Sequence, residues 1–413
     1  MATPSEPQYF EYIVIGCGGI GSAATYWLAK RAGKDVLGLE QFKLGHDNGG
    51  SQDHSRIIRM LYHEECYTKL VRDTYTTFEE VEKESGVQLV YRCGGLEFTR
   101  ADQPQAFKLD LWADAMAKQN IPFERLSGEQ ICKRFPQFTT GPNITGLYQK
   151  DSGLVDAAMA NATHIQLARK HGATIRENCK VLKLEKDKDG YMKVYTNQGL
   201  FRCRRVVITS GAWTNHVLGS VGVHIPLTVT QEQVTYFATP NIKEFTKDNF
   251  PVWIFHDPGY DFYGLPIHGN TGSKIGIDAG GPSVTPETRT YNPDPIREKL
   301  CMEFFGKYIP KALGPKLYTK TCLYAMPPDR NFVIDTLTAK GFPQVIVCNG
   351  AGHAFKFSCL LGKILSQMAI DGNSQYPIDV FRLDRPALTD PSFKNDFHFD
   401  DIKLNAGKKQ AKL

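Results

Sequence analysis

The stretch Tyr12-Ile-Val-Ile-Gly16-Cys-Gly18-Gly19-Ile-Gly21 decides the fold. An apolar run ends in glycines spaced as GxGxxG, and a helical pattern follows from about Ile20 to Arg31. A second apolar run, Val36 to Leu39, closes in Glu40, nineteen residues after Gly21. Strand, tight turn, helix and strand in this order make a βαβ unit. Gly16 permits the turn, Gly18 lets a pyrophosphate approach the backbone, and Gly21 lets the helix pack on the strand. Gly19 sits in the same turn. The helix N-terminus offers free N–H groups and the positive end of its dipole to phosphates. A carboxylate at position 40 accepts hydrogen bonds from ribose hydroxyls and repels a 2′-phosphate. The unit predicts a bound dinucleotide, but it does not separate FAD from a nicotinamide dinucleotide.

Two more core strands are expected at Arg205-Val-Val-Ile-Thr209 and Val345-Ile-Val-Cys348. Both are continuous apolar runs ending in small residues, as parallel strands buried on both faces read. The fold class is therefore α/β, with a Rossmann-type parallel sheet assembled from distant segments. The expected nucleotide-binding segments are 1–92, 150–222 and 320–390. Residues 93–149 and 223–319 would form a second, mixed-sheet substrate domain, and 391–413 a tail. Alternating patterns at Glu232 to Phe237 and Lys274 to Asp278 support that second sheet.

The chain has 413 residues, room for two or three domains of roughly 100–200 residues each. It is 41% hydrophobic and 23% charged, which allows a large core and argues against widespread disorder. The net charge of +5 is small, and no basic run with interleaved aromatics occurs, so no nucleic-acid partner is expected. No apolar run reaches about 18 residues, and the N-terminus lacks a signal-peptide layout, so no membrane association is expected. Ten scattered cysteines without a CxxC pair suit a reducing compartment and no metal site.

Four stretches resemble the monomeric sarcosine oxidase and peroxisomal pipecolate oxidase family. They are Gly50-Ser-Gln-Asp-His-Ser-Arg56-Ile-Ile-Arg59; Tyr263-Gly-Leu-Pro266 with Lys274; Cys322-Leu-Tyr-Ala-Met-Pro-Pro-Asp329; and Gly350-Ala-Gly352-His-Ala-Phe-Lys356-Phe. Their order holds from near residue 10 to about residue 385. The resemblance implies a glutathione-reductase-like FAD-binding fold and oxidation of a secondary amino acid, N-methyl, N-substituted or cyclic. Hydride would pass from the carbon next to nitrogen to the flavin, with the amine bound neutral, and O2 would return as hydrogen peroxide. Cys322 matches the cysteine that joins the flavin covalently. Ser51, Val181, Gly211, Gly352 and Lys356 are the further expected FAD contacts.

Within that resemblance, Arg59 and Lys356 match the residues that bind the substrate carboxylate. An Arg offers a planar fork and a Lys a point charge, both suited to this task. Lys274 matches the lysine that promotes oxygen reduction, since a fixed cation offsets charge forming on oxygen in an apolar site. Arg56 matches an arginine near the flavin ring, and Tyr263 would line the pocket.

Two residues depart from the family. Gln52 and Asp278 both stand where sarcosine oxidases have histidine. On a strand, Asp278 shares a face with Lys274. An acid there would bind a second group on a larger substrate, as in the related Amadori-compound (fructosyl amino acid) oxidases, or it would pair with Lys274. The terminal Ala411-Lys412-Leu413 resembles the peroxisomal address Ser-Lys-Leu, so a peroxisomal import receptor is an expected partner, with the cytoplasm as the other location. Alternatives are an NAD-dependent dehydrogenase built on the same βαβ unit, and a non-catalytic flavoprotein.

Overall fold

The glycine turn lies where a central strand hands over to a buried helix. A computed structural model of the protein describes residues 7–62 and 64–395. Strand Gln8–Ile15 ends at Gly16, and helix Gly19–Ala32 follows. Gly16 has φ +90°, a left-handed value that disfavours side chains, and a Cβ on Gly21 would lie 1.7 Å from the Gly16 carbonyl oxygen. Both glycines are therefore required by the turn. The helix is buried through Ala23, Ala24, Tyr26, Trp27, Leu28 and Ala29, between helices Ala157–Lys170 and Ser358–Asp371.

The first sheet has eight strands. Thr174–Arg176, Val36–Leu39, Gln8–Ile15 and Gly199–Ile208 run parallel side by side, and Phe342–Asn349 continues the parallel set beyond Gly199–Ile208. Both apolar runs anticipated as core strands are members. Ile13, Val14 and Ile208 have no exposed surface, and burying each contributes about 1.5–3 kcal/mol. Val181–Lys186, Met192–Thr196 and Val333–Leu337 add antiparallel strands at the margins.

The second sheet also has eight strands, in the order Lys316–Met326, Thr228–Ala238, Gly272–Ile277, Tyr260–Leu265, Val252–Asp257, Gly95–Arg100, Ile144–Gln149, Glu124–Ser127. Its pairings are antiparallel except between Val252–Asp257 and Gly95–Arg100. One face packs on helix Pro295–Tyr308, where Phe304 stacks on Trp253 at 5.1 Å and on Phe262 at 4.5 Å. Ile275 and Ile277 join that core. The alternation then turns Tyr263 and Lys274 to the opposite face, as the strand period requires.

One expected boundary is corrected. Lys316–Met326 pairs with Thr228–Ala238 along most of its length, so the limit at 320 falls inside a strand. Cys322 is thus presented by the second sheet, not by the nucleotide-binding one. A small third sheet joins Arg56–Ile58, Gly153–Val155 and Val90–Tyr91. Ala411 to Leu413, on which the peroxisomal address rests, lie outside the described residues. Among the described residues no helix is long and apolar enough to cross a membrane.

Candidate active site

One cleft of about 1290 Å³ runs from the glycine turn to the second sheet. Every residue expected to bind cofactor or substrate or to catalyse borders it, apart from Gly21, whose place is in the packing beneath. At one end lie Gly16, Gly18, Gly19, Glu40, Ser51, Val181 and Gly211. At the other lie Gln52, Arg56, Arg59, Tyr263, Lys274, Asp278, Cys322, Gly352 and Lys356.

Glu40 is buried against the turn. Its Oε2 accepts the Cys17 N–H at 2.9 Å, and its Oε1 accepts the Phe42 N–H at 3.1 Å. Ser51 Oγ accepts the Gly19 N–H at 2.8 Å. The Gly50–Arg59 segment is thereby tied to the start of the helix.

Lys274 is 2% exposed, and it does not pair with Asp278. Its Nζ donates to Asp53 Oδ2 and to the Ser55 carbonyl, the latter at 2.7 Å. Asp278 instead accepts from Arg330 Nη1 and Nη2 at 3.0 and 3.3 Å. The anticipated alternative of a Lys274–Asp278 bridge is therefore corrected: each charge has a closer partner from another loop. Burial acts to raise the Asp278 carboxyl, but the Arg330 guanidinium outweighs it and holds it at about 2. Asp278 is an anion already neutralised, and so is a weak candidate for binding a second substrate cation.

Burial pushes Lys274 down to about 8, with Asp53 opposing the shift and Arg56 adding to it. Burial lowers Lys356 to about 7, and Arg59 adds to the lowering. Lys356 Nζ donates to the His353 carbonyl at 3.1 Å. Burial keeps His353 neutral, lowered to about 3, with Lys356 and Arg330 adding to the shift; its Nε2 donates to the Arg330 carbonyl at 2.9 Å. One Arg59 Nη is held by the buried Glu97, its guanidinium lies 4.9 Å from the Tyr62 ring centre, and its Nε is buried without a partner. Burial pushes the Cys322 thiol up to about 11, against the opposing pull of Arg56.

Two non-glycine residues with left-handed φ border this cleft, Arg330 (51°) and Ala351 (51°), and a third, Ala279 (49°), directly follows Asp278. Such strain persists only where the surroundings over-determine it. For Ala279 the cause is visible. Buried Glu232 accepts from the N–H groups of Gly280 and Gly281 and from Arg297 Nη2, whose second bond goes to the Ile277 carbonyl. Asp53, Glu97, Arg330 and the Glu232–Arg297 pair were not assigned roles from sequence. Asp53 and Arg330 did lie beside or within the motif stretches, and that was their only signal.

Comparison with known proteins decides the assignment: residues 11–368 match the family described as FAD dependent oxidoreductase. The chain belongs to that family. It is 33% identical to monomeric sarcosine oxidase of Streptomyces avermitilis over 382 residues, 91% of this chain and 97% of that protein. It is 29% identical to N-methyl-L-tryptophan oxidase of Escherichia coli O9:H4 over 381 residues, 91% of this chain and 99% of the relative. Among solved structures, the open form of NikD, an unusual amino acid oxidase essential for nikkomycin biosynthesis, superposes with a TM-score of 0.81 at 26% identity. That match covers 91% of this chain and 97% of NikD.

The residues present fit the FAD of this family. Glu40 Oε1 meets the Phe42 N–H and His46 Nε2, but Oε2 accepts from the Cys17 N–H alone and keeps a lone pair; the helix starts at the cleft, and Ser210 Oγ is buried there with no partner among the described residues. Membership in the family removes the nicotinamide-dependent dehydrogenase from consideration.

Proposed function

We propose that the protein is an FAD-dependent oxidase of secondary amino acids, N-methyl, N-substituted or cyclic, that passes electrons to O2 and releases hydrogen peroxide. The observation that carries this reading is one cleft bordered both by the dinucleotide turn and by Lys274, Cys322 and Lys356. The relatives named above act on sarcosine and on N-methyl-L-tryptophan, both secondary amino acids, which supports it.

The Gly16–Gly21 turn and Ser51 would hold the pyrophosphate, Glu40 the ribose, and Val181 and Gly211 the adenine side. Cys322, Gly352 and Lys356 would flank the flavin ring. FAD when bound supplies the two-electron acceptor and the link to oxygen. The chain's own groups do the rest. Lys356 and the free N–H groups of Arg59 receive the substrate carboxylate by charge-assisted hydrogen bonds. A bound carboxylate reverses the depression of Lys356 and keeps it charged. Lys274 presents a cation where charge forms on oxygen, Arg56 adds a second one, and Tyr263 and Gln52 shape the pocket. A panel of sarcosine, pipecolate, proline, N-methyl aromatic amino acids and fructosyl amino acids, read by peroxide, tests the reading. Release of peroxide with none of them would refute it.

Cys322 is the proposed site of a covalent bond to the flavin. Denaturing the purified protein should leave the yellow colour in the precipitate, and Cys322→Ser should release it to the supernatant. Complete release from the wild type would rule the bond out. Ala411-Lys412-Leu413 supports peroxisomal import, and a fluorescent fusion lacking these residues is expected to remain in the cytoplasm; unchanged peroxisomal fluorescence would sink the address.

A further inference from the structure

Asp53 is a buried carboxylate without an assigned role, placed directly against Lys274. Its side chain is 2% exposed. Oδ2 accepts from Lys274 Nζ and, at 2.9 Å, from Arg56 Nη1, while Oδ1 accepts from the Tyr236 hydroxyl at 2.8 Å. Its own carbonyl takes the Ala158 N–H at 3.0 Å, which anchors the loop to the start of helix Ala157–Lys170. The carboxylate therefore has three donors from three elements and cannot rotate away without orphaning one of them.

The lysine is equally constrained. An ammonium carries three N–H groups. One goes to Asp53 and one to the Ser55 carbonyl, both on the loop 53–55. That leaves one N–H, and Lys274 borders the cleft. The other groups acting on Lys274 are Arg56, the Cys322 thiol and the Tyr236 ring, whose centre is 5.8 Å from Nζ. Arg56 opposes a second positive charge, and the thiol and the phenol are neutral near pH 7. Asp53 is thus the anion that permits a charged lysine in this dry place.

We propose that Asp53 is a positioning residue for Lys274: the buried pair keeps the ammonium charged and fixes the direction of its remaining N–H into the cleft. This rests on the proposed function, in which Lys274 serves the reaction with oxygen. It is separable from it, because the carboxylate oxygens of Asp53 are already held by Lys274, Arg56 and Tyr236, and the lysine's own titration reports the pair. Burial has already lowered Lys274 to about 8, with Asp53 opposing that shift. Losing the carboxylate charge moves the midpoint further down, so the lysine becomes neutral at pH 7.5 rather than mostly charged.

The test uses the flavin-loaded protein in two measurements across about pH 6–10. One is the absorbance spectrum of the oxidised enzyme without substrate, in which titration of a lysine beside the flavin is visible. The other is the rate at which chemically reduced enzyme reacts with oxygen. Wild type should show a shared midpoint near 8, absent in Lys274→Met. Asp53→Asn should lower the midpoint by at least about one unit, and slow the oxygen reaction at pH 7.5 by at least about threefold. Asp53→Glu should restore the midpoint. Tyr236→Phe removes a donor from Asp53 but not the lysine's partner, so it leaves more of the carboxylate's charge to Lys274 and should move the midpoint upward. That variant keeps the test decisive if Asp53→Asn fails to fold.

An unchanged midpoint in Asp53→Asn, even with a lower rate, would overturn the proposal, as would an unchanged or lowered midpoint in Tyr236→Phe. If Lys274→Met reacts with oxygen at the wild-type rate, the reading of Lys274 itself fails. If Lys274→Met is slow while Asp53→Asn titrates like wild type, only the role of Asp53 fails.

Discussion

Lys274→Met is expected to slow the reaction of the reduced enzyme with oxygen by about 10²–10³-fold, while anaerobic reduction by substrate stays within about threefold of wild type. Charge forming on oxygen in a water-poor site is costly, and a preorganised cation offsets it where solvent cannot. Lys274 meets that requirement: it is 2% exposed, and two of its N–H groups are tied to the 53–55 loop. Methionine fills nearly the same volume without charge. Asp53 keeps Arg56 and Tyr236 as partners in the variant, so the buried carboxylate is not orphaned. The expected loss is therefore one of chemistry more than of folding. Stopped-flow traces of the two half-reactions check this, and equal slowing of both would refute the role.

Lys356→Ala is expected to raise the apparent KM for substrate by about 10- to 150-fold, the worth of one charge-assisted hydrogen bond of about 1.5–3 kcal/mol. Among the described residues Lys356 donates to the His353 carbonyl and forms no ion pair with a carboxylate, so its removal strands none of them. Thermal stability should change little. The pH dependence has a definite sign. Free Lys356 is lowered to about 7 by burial, with Arg59 adding to it, so its charge is present below that pH and lost above it. Binding of a simple carboxylate inhibitor without an amine, such as acetate, should weaken as pH rises through about 7. In Lys356→Ala this slope should flatten. An inhibitor constant that is the same in both proteins at every pH would remove Lys356 from the binding site.

Gly16 to Glu40 was legible because its information is local. Glycine spacing, a 3.6-residue helical period and an acid at a set distance are all written within one short stretch. Arg205–Thr209 and Val345–Cys348 were legible as parallel strands because burial on both faces leaves continuous apolar runs. The residues around the chamber came from the four motif stretches, not from periodicity. Their ion-pair partners were not legible. Lys274 pairs with Asp53 across 221 positions, Asp278 with Arg330 across 52, and Arg59 with Glu97 across 38. No local pattern encodes such choices, which are set when separate loops meet in the folded cleft. The boundary at 320 failed for a related reason. Lys316–Met326 belongs to the second sheet through its pairing with Thr228–Ala238, and a pairing partner is not visible in a strand's own sequence.

A secondary amino acid should reduce the enzyme, and oxygen should restore it. The most direct measurement is anaerobic addition of an N-methyl or cyclic amino acid to the purified yellow protein, followed by readmission of oxygen. The flavin absorbance should bleach in the absence of oxygen, return on its admission, and yield one hydrogen peroxide per flavin. Absorbance that stays unchanged across the panel of secondary amino acids, or bleaching that oxygen does not reverse, would contradict it.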